Sequence, residues 1–253
     1  MKRWIVPNLL AGLLLATTGG LLYAQPATWL APQEPVAVNA DSGWLQNTLN
    51  HDEILFSNQV QVTGAAWMRI AFDEVTLPSG PIGGAGAYVR LTSMHDGAVQ
   101  RLDRIAMRQW NHTSAYFNGD GVLVELISPP DIAPCRIVIK GALRDAELAV
   151  PHNTCGPTDD RLPSSDPRVA RLLPIGCTGW LIRDANFCFL SAGHCAASAG
   201  AGLQVIEFNV PLSNASGGLN HPPPEHQYAV DPESLQVSTP PIAIGNDWAY
   251  DGC

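Results

Sequence analysis

Alternation of apolar and polar residues dominates the first half of the chain. From about Gly43 to Asp145 it marks short extended segments with a period of two. Trp67-Met68-Arg69-Ile70-Ala71-Phe72 and Ala87-Tyr88-Val89-Arg90-Leu91 alternate, with Arg69 and Arg90 set between apolar neighbours. Val122-Leu123-Val124-Glu125-Leu126-Ile127 and Arg136-Ile137-Val138-Ile139 are two further candidate strands. Turn-forming clusters separate them: Leu77-Pro78-Ser79-Gly80, Asn118-Gly119-Asp120-Gly121 and Pro129-Pro130. Several short strands so punctuated predict a β-sandwich or jelly roll over residues 43–145. Such a sandwich could bind carbohydrate or protein, serve as a pro-region, or act as a spacer or folding module.

The pattern lapses over residues 146–166. Pro151-His152-Asn153-Thr154-Cys155-Gly156-Pro157 and Pro163-Ser164-Ser165-Asp166-Pro167 are polar and proline-rich, as a linker is. Apolar patterning resumes near Val169, so residues 167–253 form the last predicted unit. The first 24 residues differ again. Lys2 and Arg3 precede an apolar stretch from Leu9 to Leu22, and Ala24 ends a small-residue cleavage pattern. This is the plan of a secretory signal peptide, and it predicts export without a retained membrane anchor. The location expected is extracellular or periplasmic.

Composition agrees with an all-β reading. Charged residues are 15% and apolar residues 46% of 253, with 23 Gly and 21 Pro. The net charge of −9 argues against nucleic acid as a partner, because phosphate binding needs basic patches. Six cysteines in an exported chain predict disulfides, and fifteen complete pairings are open. There is no Cys-x-x-Cys pair, and the prolines around His221 and His226 forbid the helix of a His-Glu zinc motif. That segment is therefore read as a solvated loop, and no metal or cofactor is expected.

The chemistry lies in two strings. Cys177-Thr178-Gly179-Trp180-Leu181-Ile182 reads as a strand, and Asp184-Ala185-Asn186 as a turn. Cys188-Phe189-Leu190-Ser191-Ala192-Gly193-His194-Cys195 reads as a second strand ending in small residues that present one histidine. The pair of strings resembles the Cys-x-Gly-x-Leu-Ile and Thr-Ala-Gly-His-Cys segments of trypsin-like (chymotrypsin-fold) serine peptidases. The resemblance covers roughly the last third of the chain, and the Gly-His-Cys form is nearer to bacterial members. It implies that His194 is the general base and that Cys177 and Cys195 form the flanking disulfide.

The resemblance also implies a buried aspartate on a later strand, whose task is to orient the imidazole. Asp247, within Ile244-Gly245-Asn246-Asp247-Trp248-Ala249-Tyr250, fits that place. The serine expected after it, in a Gly-Asp-Ser-Gly-Gly segment, does not occur. Asp41-Ser42-Gly43 lies before the histidine and is in the wrong order. No Ile-Val-Gly-Gly activation motif precedes the first strand.

The expected architecture is thus all-β. A sandwich precedes the first, incomplete barrel of a double β-barrel, and the nucleophile belongs to a longer protein. The expected substrate is a peptide bond in a protein or peptide. The rival expectation is a secreted binding protein with a degenerate peptidase-like domain.

Overall fold

The computed structural model describes residues 33–81, 84–145, 166–183, 188–199, 204–214, 218–238 and 245–251. The leader, most of the linker, Cys155 and Cys253 lie outside these residues. The described chain is all-β, with two short helices and antiparallel sheets throughout.

Residues 33–145 form two four-stranded sheets. The first has the order β1 (Gln33–Asp41), β8 (Arg136–Asp145), β3 (Trp67–Thr76), β6 (Phe117–Asn118). The second has the order β2 (Glu53–Gln61), β7 (Gly121–Ser128), β4 (Tyr88–Ser93), β5 (Val99–Leu102). Alternation sets the inner faces. In β4 Val89, Leu91 and Ser93 are buried, while Tyr88, Arg90 and Thr92 are half-exposed. These side chains meet Ile70, Ile137 and Ile139 of the other sheet in one apolar core. Arg90 projects from the outer face and pairs with Glu125 across the strands at 2.8 Å. The first sheet starts at Gln33, ahead of the alternation legible in the sequence. β1 is mostly exposed and so lacks a strong pattern.

Arg69 departs from simple alternation. It is only 1% exposed, because β3 is covered on both faces. Its second face meets the segment after helix α1 (Arg104–Gln109). There the Arg69 guanidinium donates to the Ser114 carbonyl and the Thr113 hydroxyl, each at 2.6 Å. It also lies over the rings of Trp110 and Tyr116. A buried cation needs such partners, since isolation from water would be far costlier.

Residues 166–251 form one curled seven-stranded sheet, half of a barrel. Its order is β13 (Gln227–Ala229), β12 (Val205–Phe208), β9 (Val169–Leu173), β10 (Cys177–Leu181), β11 (Phe189–Ser191), β15 (Trp248–Asp251), β14 (Gln236–Ser238). Leu172, Ile175, Phe189, Ile206 and Phe208 fill its concave side. Gly179 on β10 lets the fully buried Phe189 ring approach the backbone, and a Cβ there would collide with that ring. The sandwich core also continues into this sheet, since Leu173 and Val205 belong to it and Leu219 and Ala229 pack on it.

The proline-rich segment after Gly218 is not the solvated loop read from sequence. His221, Pro222 and Pro224 are buried, and a 3-10 turn spans Pro224–His226. The prolines fix an extended path that lays His221 against Trp67 and Tyr116 of the sandwich.

Candidate active site

Sheet order alone brings His194 and Asp247 together. β11 and β15 are antiparallel neighbours, with Ser191 opposite Ala249. His194 follows the end of β11, and Asp247 precedes the start of β15. Antiparallel pairing puts those two ends side by side, although the residues are 53 positions apart.

The side chains meet with tight geometry. His194 Nδ1 lies 2.7 Å from Asp247 Oδ2, and the His194 backbone N–H donates to Oδ1 at 2.8 Å. His194 is the second residue of helix α2 (Gly193–Ala199), so its N–H is one of the backbone donors left open at a helix start. The side chains of His194 and Asp247 are 27% and 20% exposed, so the pair is accessible from solvent while largely enclosed.

Partial burial pushes the Asp247 carboxyl pKa up. The hydrogen bonds from the His194 ring, then from the His194 backbone, outweigh it, aided by the ring's charge and the Gly193 amide. The net direction is below the usual carboxylate range. Asp247 is therefore ionised at neutral pH and can only accept. The proton of the neutral ring must sit on Nδ1, which leaves Nε2 as the basic atom. A carboxylate with a depressed pKa contributes stability that is present above its ordinary value near 3.8. That contribution is lost as pH falls through the folded value.

The Cys177–Cys195 disulfide closes an 18-residue separation around this site. Such a loop contributes on the order of 3 kcal/mol in the chain-entropy description. It ties β10 to the first turn of α2, directly beside His194. Cys177, His194 and Cys195 have potential ligand atoms within 4.8 Å of one another. The two sulfurs are oxidised to each other, so neither is the thiolate that a metal would require.

Gly193 has a steric role that the sequence did not disclose. A Cβ there would collide with the Ser238 carbonyl oxygen of β14. It would also lie 2.9 Å from the Trp248 carbonyl oxygen. Both obstacles are backbone, which cannot swing aside as a side chain can. Gly193→Ala is expected to cost about 1–3 kcal/mol, as overpacking does. It should also weaken the His194–Asp247 hydrogen bond, because α2 and β15 must part. Urea denaturation and the Nδ1 proton resonance of His194 check this. A wild-type midpoint together with an unshifted resonance would count against the close packing.

No family model, curated protein or solved structure matches the chain.

Proposed function

We propose that this chain supplies the general base and its orienting carboxylate to a secreted serine-type endopeptidase. The observation that carries the reading is the 2.7 Å bond between His194 Nδ1 and an ionised Asp247. It forms between residues that the motif resemblance singles out, flanked by the disulfide that the resemblance also implies.

In the reaction, His194 Nε2 takes the proton of a serine hydroxyl as the oxygen attacks the peptide carbonyl. It then returns that proton to the leaving amine. Asp247 holds the ring in the required tautomer and stabilises the imidazolium as it forms. The serine and the backbone donors for the tetrahedral oxyanion lie, on this reading, beyond residue 253. Export fits the leader pattern, the disulfide, and the finding that no described helix is long and apolar enough to cross a membrane.

The test is to read the coding sequence past Cys253, express the longer product and treat it with a fluorophosphonate probe. Covalent labelling that disappears in His194→Ala is the expected result. A stop codon directly after Cys253, or labelling indifferent to His194, would favour the non-catalytic binding protein.

A further inference from the structure

The two units of the chain are joined by a buried polar and aromatic network that the proposed chemistry does not use. Two side-chain amides clasp backbone across the boundary. Asn118 of the sandwich donates to the His221 carbonyl at 2.9 Å and accepts from the His221 N–H at 2.8 Å. Gln227 of the half-barrel reciprocates. It accepts from the Tyr116 N–H at 2.9 Å and donates to the Tyr116 carbonyl at 2.8 Å.

Between these clasps lies a stack. The Tyr116 and His221 rings are parallel to within 7°, with centroids 4.7 Å apart, and Trp67 meets His221 edge-on. His221 Nδ1 then bonds Glu207 Oε1 at 2.7 Å. Glu207 is fully buried and takes two more bonds from Arg171. The apolar core is continuous beneath the network, through Leu173 and Val205.

Nearly every polar atom in this boundary has a partner, with one informative exception. His221 Nε2 is buried and has no hydrogen-bond partner among the described residues. A neutral ring tolerates this, because Nδ1–H donates to Glu207 and Nε2 keeps only a lone pair. A protonated ring carries a second N–H in that buried position, with nothing among the described residues to receive it.

We propose that residues 33–145 and 166–251 form one clasped unit that survives a cut between them and is released by acid, with His221 as the titrating group. The sandwich is then a resident partner of the half-barrel rather than a removable segment.

The charged and titratable groups around His221 set the sign. Burial lowers its pKa, Glu207 on β12 raises it, Arg171 on β9 lowers it, and Asp145 on β8 raises it, with burial prevailing. The Arg69 guanidinium on β3 lies 5.2 Å from the centroid of the Tyr116 ring on which His221 stacks, and the Tyr116 hydroxyl accepts from Gln33. A histidine with a lowered folded pKa contributes stability that is complete above its ordinary value near 6.5. That stability is lost as pH falls below it. Glu207 is also held below its ordinary range, despite burial, by His221 and Arg171. Its share therefore disappears in the same direction at lower pH.

The experiment inserts a site-specific protease sequence between His152 and Asn153 of the full chain. Cys155 then stays with the later fragment and cannot hold the pieces through a disulfide to Cys253. After cleavage, gel filtration at about pH 8 should show the two pieces migrating together, and at about pH 5 apart. Pieces that separate at the higher pH overturn the clasped unit. Pieces that remain together at the lower pH overturn the acid release. His221→Gln keeps a donor to Glu207 but cannot titrate, so its pieces should stay together at both values. Separation of those pieces at the lower pH alone removes His221 from the titrating role.

Discussion

Under the proposed function, Asp247→Asn is expected to lower turnover by about 10⁴-fold in a longer, serine-bearing product while leaving the fold in place. An asparagine at this position can still accept the His194 backbone N–H through its oxygen. Its NH2 group would then face Nδ1, where the carboxylate oxygen accepted at 2.7 Å. A donor facing a donor is excluded, so the neutral ring must move its proton to Nε2. That atom can then no longer take the serine proton.

The loss should fall on kcat, with KM little changed, because the residue acts on the transition state and not on substrate binding. Stability should drop by only about 1 kcal/mol, the worth of one hydrogen bond. The tautomer change has its own signature in the present chain. At high pH the His194 nitrogen shifts should exchange between Nδ1 and Nε2 on going from wild type to Asp247→Asn. Wild-type turnover, or an unchanged tautomer, would remove Asp247 from the proposed role.

His194 and Asp247 were expected together because the short strings that hold them resemble trypsin-like segments, and each string is read locally. Strand periodicity gave the fold class for the same reason, since the period is written within a few residues. The structure adds what depends on distant contacts. Arg69 reads locally as a residue between apolar neighbours. Its burial is decided by the segment around Thr113 and Ser114, more than 40 positions away. His221 reads as part of a proline loop, yet Asn118, 103 positions earlier, holds its backbone. Tyr116 and Gln227 are 111 positions apart. Composition marked residues 146–166 as a linker. It carried no sign that the units on either side share a core. Gly193 was legible as part of a motif, but not as the residue on which α2 and β15 close.

The largest stability change is expected at Glu207, which makes no bond to His194 or Asp247. Its carboxylate is fully buried and accepts from His221 Nδ1 through Oε1, and from Arg171 Nε and Nη2 through Oε2. Glu207→Leu removes the anion and leaves the rest in place. Arg171 keeps its bond to the Asn220 carbonyl, but its side chain is only 15% exposed and now lacks a counter-charge. His221 loses the acceptor of Nδ1, while its Nε2 already lacks a partner among the described residues.

Breaking one member of a buried ionic cluster typically costs about 3–5 kcal/mol, most of it from the stranded charge rather than from the lost attraction. Guanidinium denaturation of the full chain measures this directly. Replacing the whole cluster separates the two causes. Arg171→Met with Glu207→Leu and His221→Phe removes every charge and keeps an aromatic ring stacked on Tyr116. The triple variant should regain a large part of the stability that the single variant loses, because the Arg171 charge is no longer stranded, while buried Arg69 keeps its bonds to Ser114 and Thr113. A single variant within about 0.5 kcal/mol of wild type would show that Glu207 behaves as a surface residue. A triple variant no more stable than the single one would show that the attraction itself, and not the stranded charge, sets the cost. The stability of Glu207→Leu should also vary less with pH below the ordinary carboxylate range, since the group whose lowered pKa couples folding to acid is gone.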